Sequence, residues 1–160
     1  MITFSFTGWS NSGKTTLITR LIKEFKRKNK TVMVVKNAPH KYHLEPESKD
    51  TFRFLEAGSA EVFLVAKKEV INMRKIEEDK EIFDIIESKL NDFDILLLEG
   101  LYRDDIPVIE VFDSKKNDQL RFSVDNLSAV VADRGITKEI PCFNINDIKG
   151  ILKFMEDYCG

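Results

Sequence analysis

Cysteine is scarce in this 160-residue chain: Cys142 and Cys159 stand far apart, outside any C-x-x-C pair. Such usage excludes a disulfide framework and a cysteine-built zinc site, and it fits a reducing cytoplasm. Long apolar runs are also missing. None approaches the ~20 residues that span a bilayer, and the N-terminus lacks a signal peptide's basic start, apolar stretch and cleavage site. The expected location is cytoplasmic, with no membrane partner. Net charge is small, −2 at pH 7, which argues against nucleic acid as a partner. Histidine is limited to His40 and His43, too few and too isolated for a zinc centre. Internal repeats, low-complexity tracts and linkers are absent too, so a single domain spanning 1–160 is expected.

What is present begins at the N-terminus. Ile2 to Thr7 is a β-branched and aromatic run with the alternation of a strand, and Leu17, Ile18, Leu21, Ile22 and Phe25 recur at helical spacing. Between them lie Gly8, Trp9, Ser10, Asn11, Ser12, Gly13, Lys14, Thr15 and Thr16, the pattern G-x-x-x-x-G-K-[ST]. Strand, glycine loop, helix is the context that chemistry requires. The glycines let backbone N–H groups close on phosphate oxygens, and the helix start adds free donors and a positive dipole end. Lys14 would reach the terminal phosphates and the Thr15 hydroxyl would ligate magnesium. The basic cluster Lys23, Lys26, Arg27, Lys28 and Lys30 closes the helix, where cations complement its dipole.

Further along, Thr31 to Lys36 reads as a strand, followed by a polar stretch, 37–49, that holds both histidines. Asp50 opens a short helix stopped at Ala57-Gly58. Glu61 to Ala66 and Glu69 to Arg74 are β-rich runs so close together that only an antiparallel hairpin can join them. A helix is expected over Asp79 to Leu90, introduced by Glu77 and Glu78. Asp94 to Gly100 carries four consecutive aliphatics bounded by acids, the signature of a buried central strand. Pro107 to Phe112, Leu127 to Ala132 and Pro141 to Ile145 are further strands, and a helix from about Asp147 closes the chain. The fold class expected is α/β: a mostly parallel sheet flanked by helices, like that of phosphate-loop NTPases, with an antiparallel hairpin extension.

In such a sheet ligands gather at the carboxyl ends of strands. Glu99 ends the buried strand, where phosphate-loop proteins place an acid for magnesium or its water, so Lys14 and Glu99 are the catalytic candidates. Asp50 fits a helix N-cap and a second magnesium-side carboxylate equally well. Trp9 suits packing against the protein better than stacking on a base. His40 and His43 suit contacts to an anionic ligand or partner.

These residues resemble one family. The loop with Leu17, then Val35-Lys36, then Lys49-Asp50-Thr51 with Arg53 and Ala57-Gly58-Ser59-Ala60, then Leu98-Glu99-Gly100, is similar to the molybdopterin-guanine dinucleotide biosynthesis adapter, protein B, over nearly the whole chain. The resemblance implies binding of GTP with magnesium, slow hydrolysis, homodimers, and assistance to the guanylyltransferase that attaches GMP to the molybdenum cofactor. It implies that Thr15, Glu99 and Asp50 face magnesium, with Lys36 and Arg53 around the same pocket. Asn37 departs from the histidine usual in the family, and the stretch with His43, Glu45 and Glu47-Ser48-Lys49-Asp50 departs from its usual acids and Pro-Gly-Lys-Asp run. Beside His40 and His43, that stretch is the expected surface for a partner or the pterin.

Two other readings compete. A small-molecule or nucleoside kinase would use the same loop, but outside Arg103 and Arg121 the chain offers no arginine-rich lid. A switch GTPase would carry an Asn-Lys-x-Asp base-reading motif, and none occurs. Asp133, at a strand end on the ligand side, is the candidate to accept the guanine N1 and N2 hydrogens.

Overall fold

The computed structural model describes residues 1–38, 50–76 and 80–159. The chain divides into two units: the first comprises Met1–Ala38 with Leu90–Gly160, the second Pro39–Lys89.

The first unit is built on a six-stranded sheet. Its strands are β1 (Ile2–Thr7), β2 (Val32–Lys36), β5 (Ile95–Glu99), β6 (Val108–Phe112), β7 (Ala129–Ala132) and β8 (Cys142–Asn144), in spatial order β2-β5-β1-β6-β7-β8. Every pairing in it is parallel. β1 therefore lies between β5 and β6, with Phe6 opposite Glu99 on one side and Thr7 opposite Glu110 on the other. The aliphatic run read as a central strand is central, and all five of its residues are buried.

Alternation along the strands sorts the side chains into two layers. Phe4, Phe6, Ile95, Leu97, Ile109, Val111, Ala129 and Val131 face helix α1 (Lys14–Arg27) and helix α4 (Ile148–Cys159). Those helices contribute Leu17, Ile18, Leu21, Phe25, Ile151, Leu152 and Met155, so the apolar stripes read from the sequence supply one continuous core. On the opposite face, Val108, Phe112, Val130 and Ala132 pack with Leu120, Phe122, Ile136 and Ile140 from the segments joining β6, β7 and β8. α1 stops where Lys28, Asn29 and Lys30 turn back onto its last carbonyls. Lys28 then pairs with Glu156 and Lys30 with Asp94, so much of the basic cluster is spent in structure. Asp94 also accepts the Thr31 N–H at 2.8 Å, tying the start of β2 to that of β5.

The second unit contains helix α2 (Asp50–Glu56), the hairpin of β3 (Glu61–Ala66) and β4 (Glu69–Arg74), and helix α3 (Lys80–Glu87). The hairpin pairs Glu61 with Arg74 through to Ala66 with Glu69, in the antiparallel sense and with the bounds expected. Leu55, Val62 and Met73 form its small core, with Ile71 against them. Helix α3 ends at Glu87 rather than Leu90. The Ser88 hydroxyl takes the Ile85 carbonyl, and Leu90–Asp92 tightens into a separate 3₁₀ turn. The expected opening of that helix at Glu77, Glu78 and Asp79 lies outside the described residues.

Leu97 is fully buried in β5 beneath α1. Leu97→Ala should cost about 2–5 kcal/mol of stability, read as a lower urea midpoint at an unchanged slope.

Candidate functional site

Parallel pairing brings the ends of β1, β2, β5, β6 and β7 to one edge of the sheet, and the glycine loop occupies its middle. Gly8 has φ +134°, and a Cβ there would stand 2.2 Å from the Val111 carbonyl oxygen, so the loop leaves β1 pressed against β6. Asn11 and Gly13 also take positive φ, 60° and 100°, which curls the loop into the first turn of α1. That helix starts without a side-chain cap and without an acid in its first turn. Its leading N–H groups and positive dipole end thus remain available to an anion. Ser12 is buried, and its hydroxyl has no partner among the described residues. An orphaned donor of this kind beside an uncapped helix start fits a phosphate oxygen.

Lys14 follows the loop back on itself. Its ammonium donates to the Gly8 carbonyl at 2.9 Å and to the Trp9 carbonyl at 2.7 Å. Burial holds the ammonium below the ordinary lysine value, Glu99 opposes that shift, and Arg121 and Lys36 add to it. Trp9 is 38% exposed and donates its indole N–H to the Gln119 carbonyl at 3.0 Å, which ties its polar edge to the protein. Lys116 reaches the Asn11 carbonyl at 2.9 Å from the other side of the loop.

Glu99 shares a strand face with Ile95 and Leu97, which turns it toward α1. Its carboxylate accepts the Thr15 hydroxyl at 3.0 and 3.2 Å and the Lys36 ammonium at 2.9 Å. The carboxylate is 10% exposed and the lysine 55%, so the acid is fixed while the cation reaches in from water. A hydroxyl and a carboxylate this close supply two hard oxygens of the kind magnesium takes. Lys36 already offsets the carboxylate's charge at the same spot.

Asp133 stands across the loop, on the β7 side. It lines a cavity of about 400 Å³ with Ser12, Gly13, Thr16, Asp113 and Asn146. Its carboxylate accepts the Ser114 N–H at 3.1 Å and the Ser114 hydroxyl at 2.8 Å, and those two bonds hold its pKa below the usual range. The group is therefore oriented and ionised, with lone pairs left over.

Lys14, Thr15, Lys36 and Glu99 thus come together, and Asp133 shares a cavity with the loop. Asp50 and Arg53 belong to the second unit, where they pair with one another at 3.5 Å on the first turns of α2. His40 and His43 lie outside the described residues. Sequence reading missed Glu110, fully buried in β6, Tyr102, whose hydroxyl shares a 3.3 Å hydrogen bond with Thr7, and Ser114. An acid standing among Val108, Ile109 and Val111 was the one available signal.

Residues 3–133 match the family described as MobB, molybdopterin guanine dinucleotide synthesis protein B. The chain is 23% identical to the molybdopterin-guanine dinucleotide biosynthesis adapter protein of Escherichia coli (strain K12), over 96% of this chain and 91% of that one. It is 29% identical to the Haemophilus influenzae protein of the same name, over 95% and 86%. Among solved structures, a crystal structure of molybdopterin-guanine biosynthesis protein B superposes with a TM-score of 0.71 at 23% identity, covering 98% of this chain and 99% of that one. A MobB homologue from Bacillus stearothermophilus superposes with a TM-score of 0.66 at 16% identity, with the same coverage.

The Thr15–Glu99 geometry carries its own test. Glu99→Gln keeps the shape but removes the charge, so nucleotide affinity should fall by about tenfold with magnesium and change little in EDTA. Calorimetry in the two buffers reads both numbers, and equal losses would make Glu99 purely structural.

Proposed function

This chain belongs to the molybdopterin guanine dinucleotide synthesis protein B family, and from that premise we propose that it is a GTP-binding adapter in the biosynthesis of molybdopterin guanine dinucleotide. The observation that carries the nucleotide half of this reading is the glycine loop on an uncapped helix, with Thr15 and Glu99 in contact at its edge. Gly8 to Thr16 would wrap the phosphates with backbone N–H groups, and the orphaned Ser12 hydroxyl would find its partner there. Lys14 would exchange its two loop carbonyls for phosphate oxygens. Thr15 and Glu99 would hold magnesium, and the ion would offset charge on the β and γ phosphates. Lys36, released from Glu99, would remain beside the same anions. The cavity next to Asp133 would receive the base, where a carboxylate ionised and oriented by Ser114 suits the guanine N1 and N2 hydrogens.

The adapter half follows from the family. The acceptor of the guanylyl group would be molybdopterin, and the working partner its guanylyltransferase. His40, His43, Lys36 and Arg53 are the side chains assigned to the partner or pterin surface. Homodimer formation belongs to the same reading, supported by Phe63, Val65 and Val70, which leave the hairpin 58%, 71% and 63% exposed. Slow hydrolysis by the chain alone, with Lys14, Glu99 and the metal as catalytic groups, belongs to the same reading.

GTP should bind at least tenfold more tightly than ATP, the worth of one or two hydrogen bonds to a charged acceptor, and Asp133→Ala should erase the preference. Competition calorimetry measures both, and a variant that keeps the preference would move base reading to another group. Reconstituted guanylyl transfer to molybdopterin, with and without this chain, tests the adapter role. No stimulation, or fast γ-phosphoryl transfer to a small acceptor by the chain alone, would overturn it in favour of a kinase.

A further inference from the structure

Glu110 is a carboxylate with no exposed surface, set in the middle of the parallel sheet, and the chemistry above does not use it. A buried acid is costly unless its oxygens are satisfied. Here the Arg121 N–H donates to Oε1 at 2.6 Å and the Phe122 N–H to Oε2 at 3.0 Å. The acid therefore hangs residues 121–122 from β6 at the position paired with Thr7, one residue before the loop begins.

The rest of the segment after β6 is tied to the same loop. Gln119 receives the Trp9 indole and Lys116 reaches Asn11. Phe122 packs edge-on against Tyr102 with ring centroids 5.1 Å apart, and Tyr102 bonds Thr7. Residues 116–122 thus form a strap fastened to the phosphate loop at Asn11, Trp9 and Thr7, with Glu110 as its buried anchor. The strap carries two cations: Lys116, on the Asn11 carbonyl, and Arg121, whose amide is held by Glu110 at the β6 position paired with Thr7. The Arg121 charge acts on both Lys14 and Glu110. Its side chain is exposed and makes no ion pair among the described residues. Lys14 sits on the Gly8 and Trp9 carbonyls, and the lysine of such a loop serves the β and γ phosphates. Glu110 lies opposite Thr7 and Gln119 holds the Trp9 indole, so the Arg121 backbone is fixed beside the start of the loop whose Gly8 and Trp9 carbonyls hold Lys14, and Arg121 is not among the residues lining the Asp133 cavity.

We propose that Arg121 contacts the terminal phosphate of the bound nucleotide from within the same chain, and that Glu110 is the positioning residue that holds it there by bridging the Arg121 and Phe122 amides. The consequence is discrimination between nucleoside triphosphate and diphosphate. A guanidinium supplied in cis adds attraction for a group that only the triphosphate carries. This inference rests on the nucleotide-binding reading above.

The test is calorimetry of GTP and GDP, with magnesium, on the full chain and its variants. Arg121→Gln, at an exposed side chain, should fold normally, weaken GTP about tenfold and leave GDP nearly unchanged. Arg121→Lys should recover part of the loss, because it restores charge without the planar fork. Glu110→Gln can accept only one of the two amides through its single carbonyl oxygen, so it should lower the GTP-to-GDP ratio in the same direction. Glu110→Asp, which keeps the charge but shortens the reach, should do likewise and serves if the glutamine variant does not fold. An unchanged ratio in Arg121→Gln, or equal losses for both nucleotides, would overturn the proposal. So would a Glu110 variant that melts earlier yet keeps the wild-type ratio, since its role would then be structural. A wild-type chain that binds neither nucleotide defeats the underlying reading. One that binds GTP while every variant matches it defeats this inference alone.

Discussion

Parallel pairing is the constraint on which the rest of this structure depends. Once every strand of the main sheet runs the same way, all their carboxyl ends must share one edge, and whatever follows them must meet there. The glycine loop, Lys36, Glu99 and Asp133 are far apart in sequence and become neighbours for that reason alone. The central place of β1 matters equally. With β5 on one side and β6 on the other, the loop that leaves it is flanked by a carboxylate from each, Glu99 toward α1 and Glu110 toward the opposite layer.

The two acids illustrate how the same side chain is put to different uses by its surroundings. Glu99 is met by a hydroxyl and an ammonium, groups that can trade places with a metal ion and its water. Glu110 is met by backbone amides, which cannot leave. Burial pushes the Glu110 carboxyl above the usual range, while its amide donors and the charges of Arg121 and Lys14 pull it back. One carboxylate is therefore exchangeable and the other fixed. On the proposed reading, that division would separate the part of the site that exchanges partners with a ligand from the part that keeps its shape.

Much of this was legible before any coordinates. The hairpin bounds come directly from two β-rich runs too close for a crossover, and Glu99 stands out because four aliphatics precede it. The phosphate loop announces itself by spacing. What was not legible depends on partners distant in sequence. Glu110 interrupts the apolar run Val108 to Phe112, but nothing in that run says what would satisfy a buried acid. Its partners, the amides of Arg121 and Phe122, belong to a segment whose sequence carries no period. Ser114 is invisible for a similar reason, since its role exists only because β6 and β7 end side by side. Helix α3 is shorter than its apolar spacing predicts, because Leu90 continues that spacing while the Ser88 hydroxyl donates to a helix carbonyl, which periodicity does not register.

The fit of Gly8 against Val111 has an evolutionary reading. A side chain at Gly8 would collide with main chain of β6, which has no means of withdrawing without breaking the sheet. A side chain at Gly13 would meet only the tip of Ile145 at 3.2 Å, which a rotamer change can relieve, although φ at that position still favours glycine. The two glycines of the motif thus meet different constraints, main chain at the first and a side-chain tip at the second. A descendant that lost its nucleotide would still have to keep the first for the sake of the sheet, while the second and the lysine after it could drift. In a diverged relative, a surviving first glycine would record the architecture, and only the second glycine with its lysine would record the ligand.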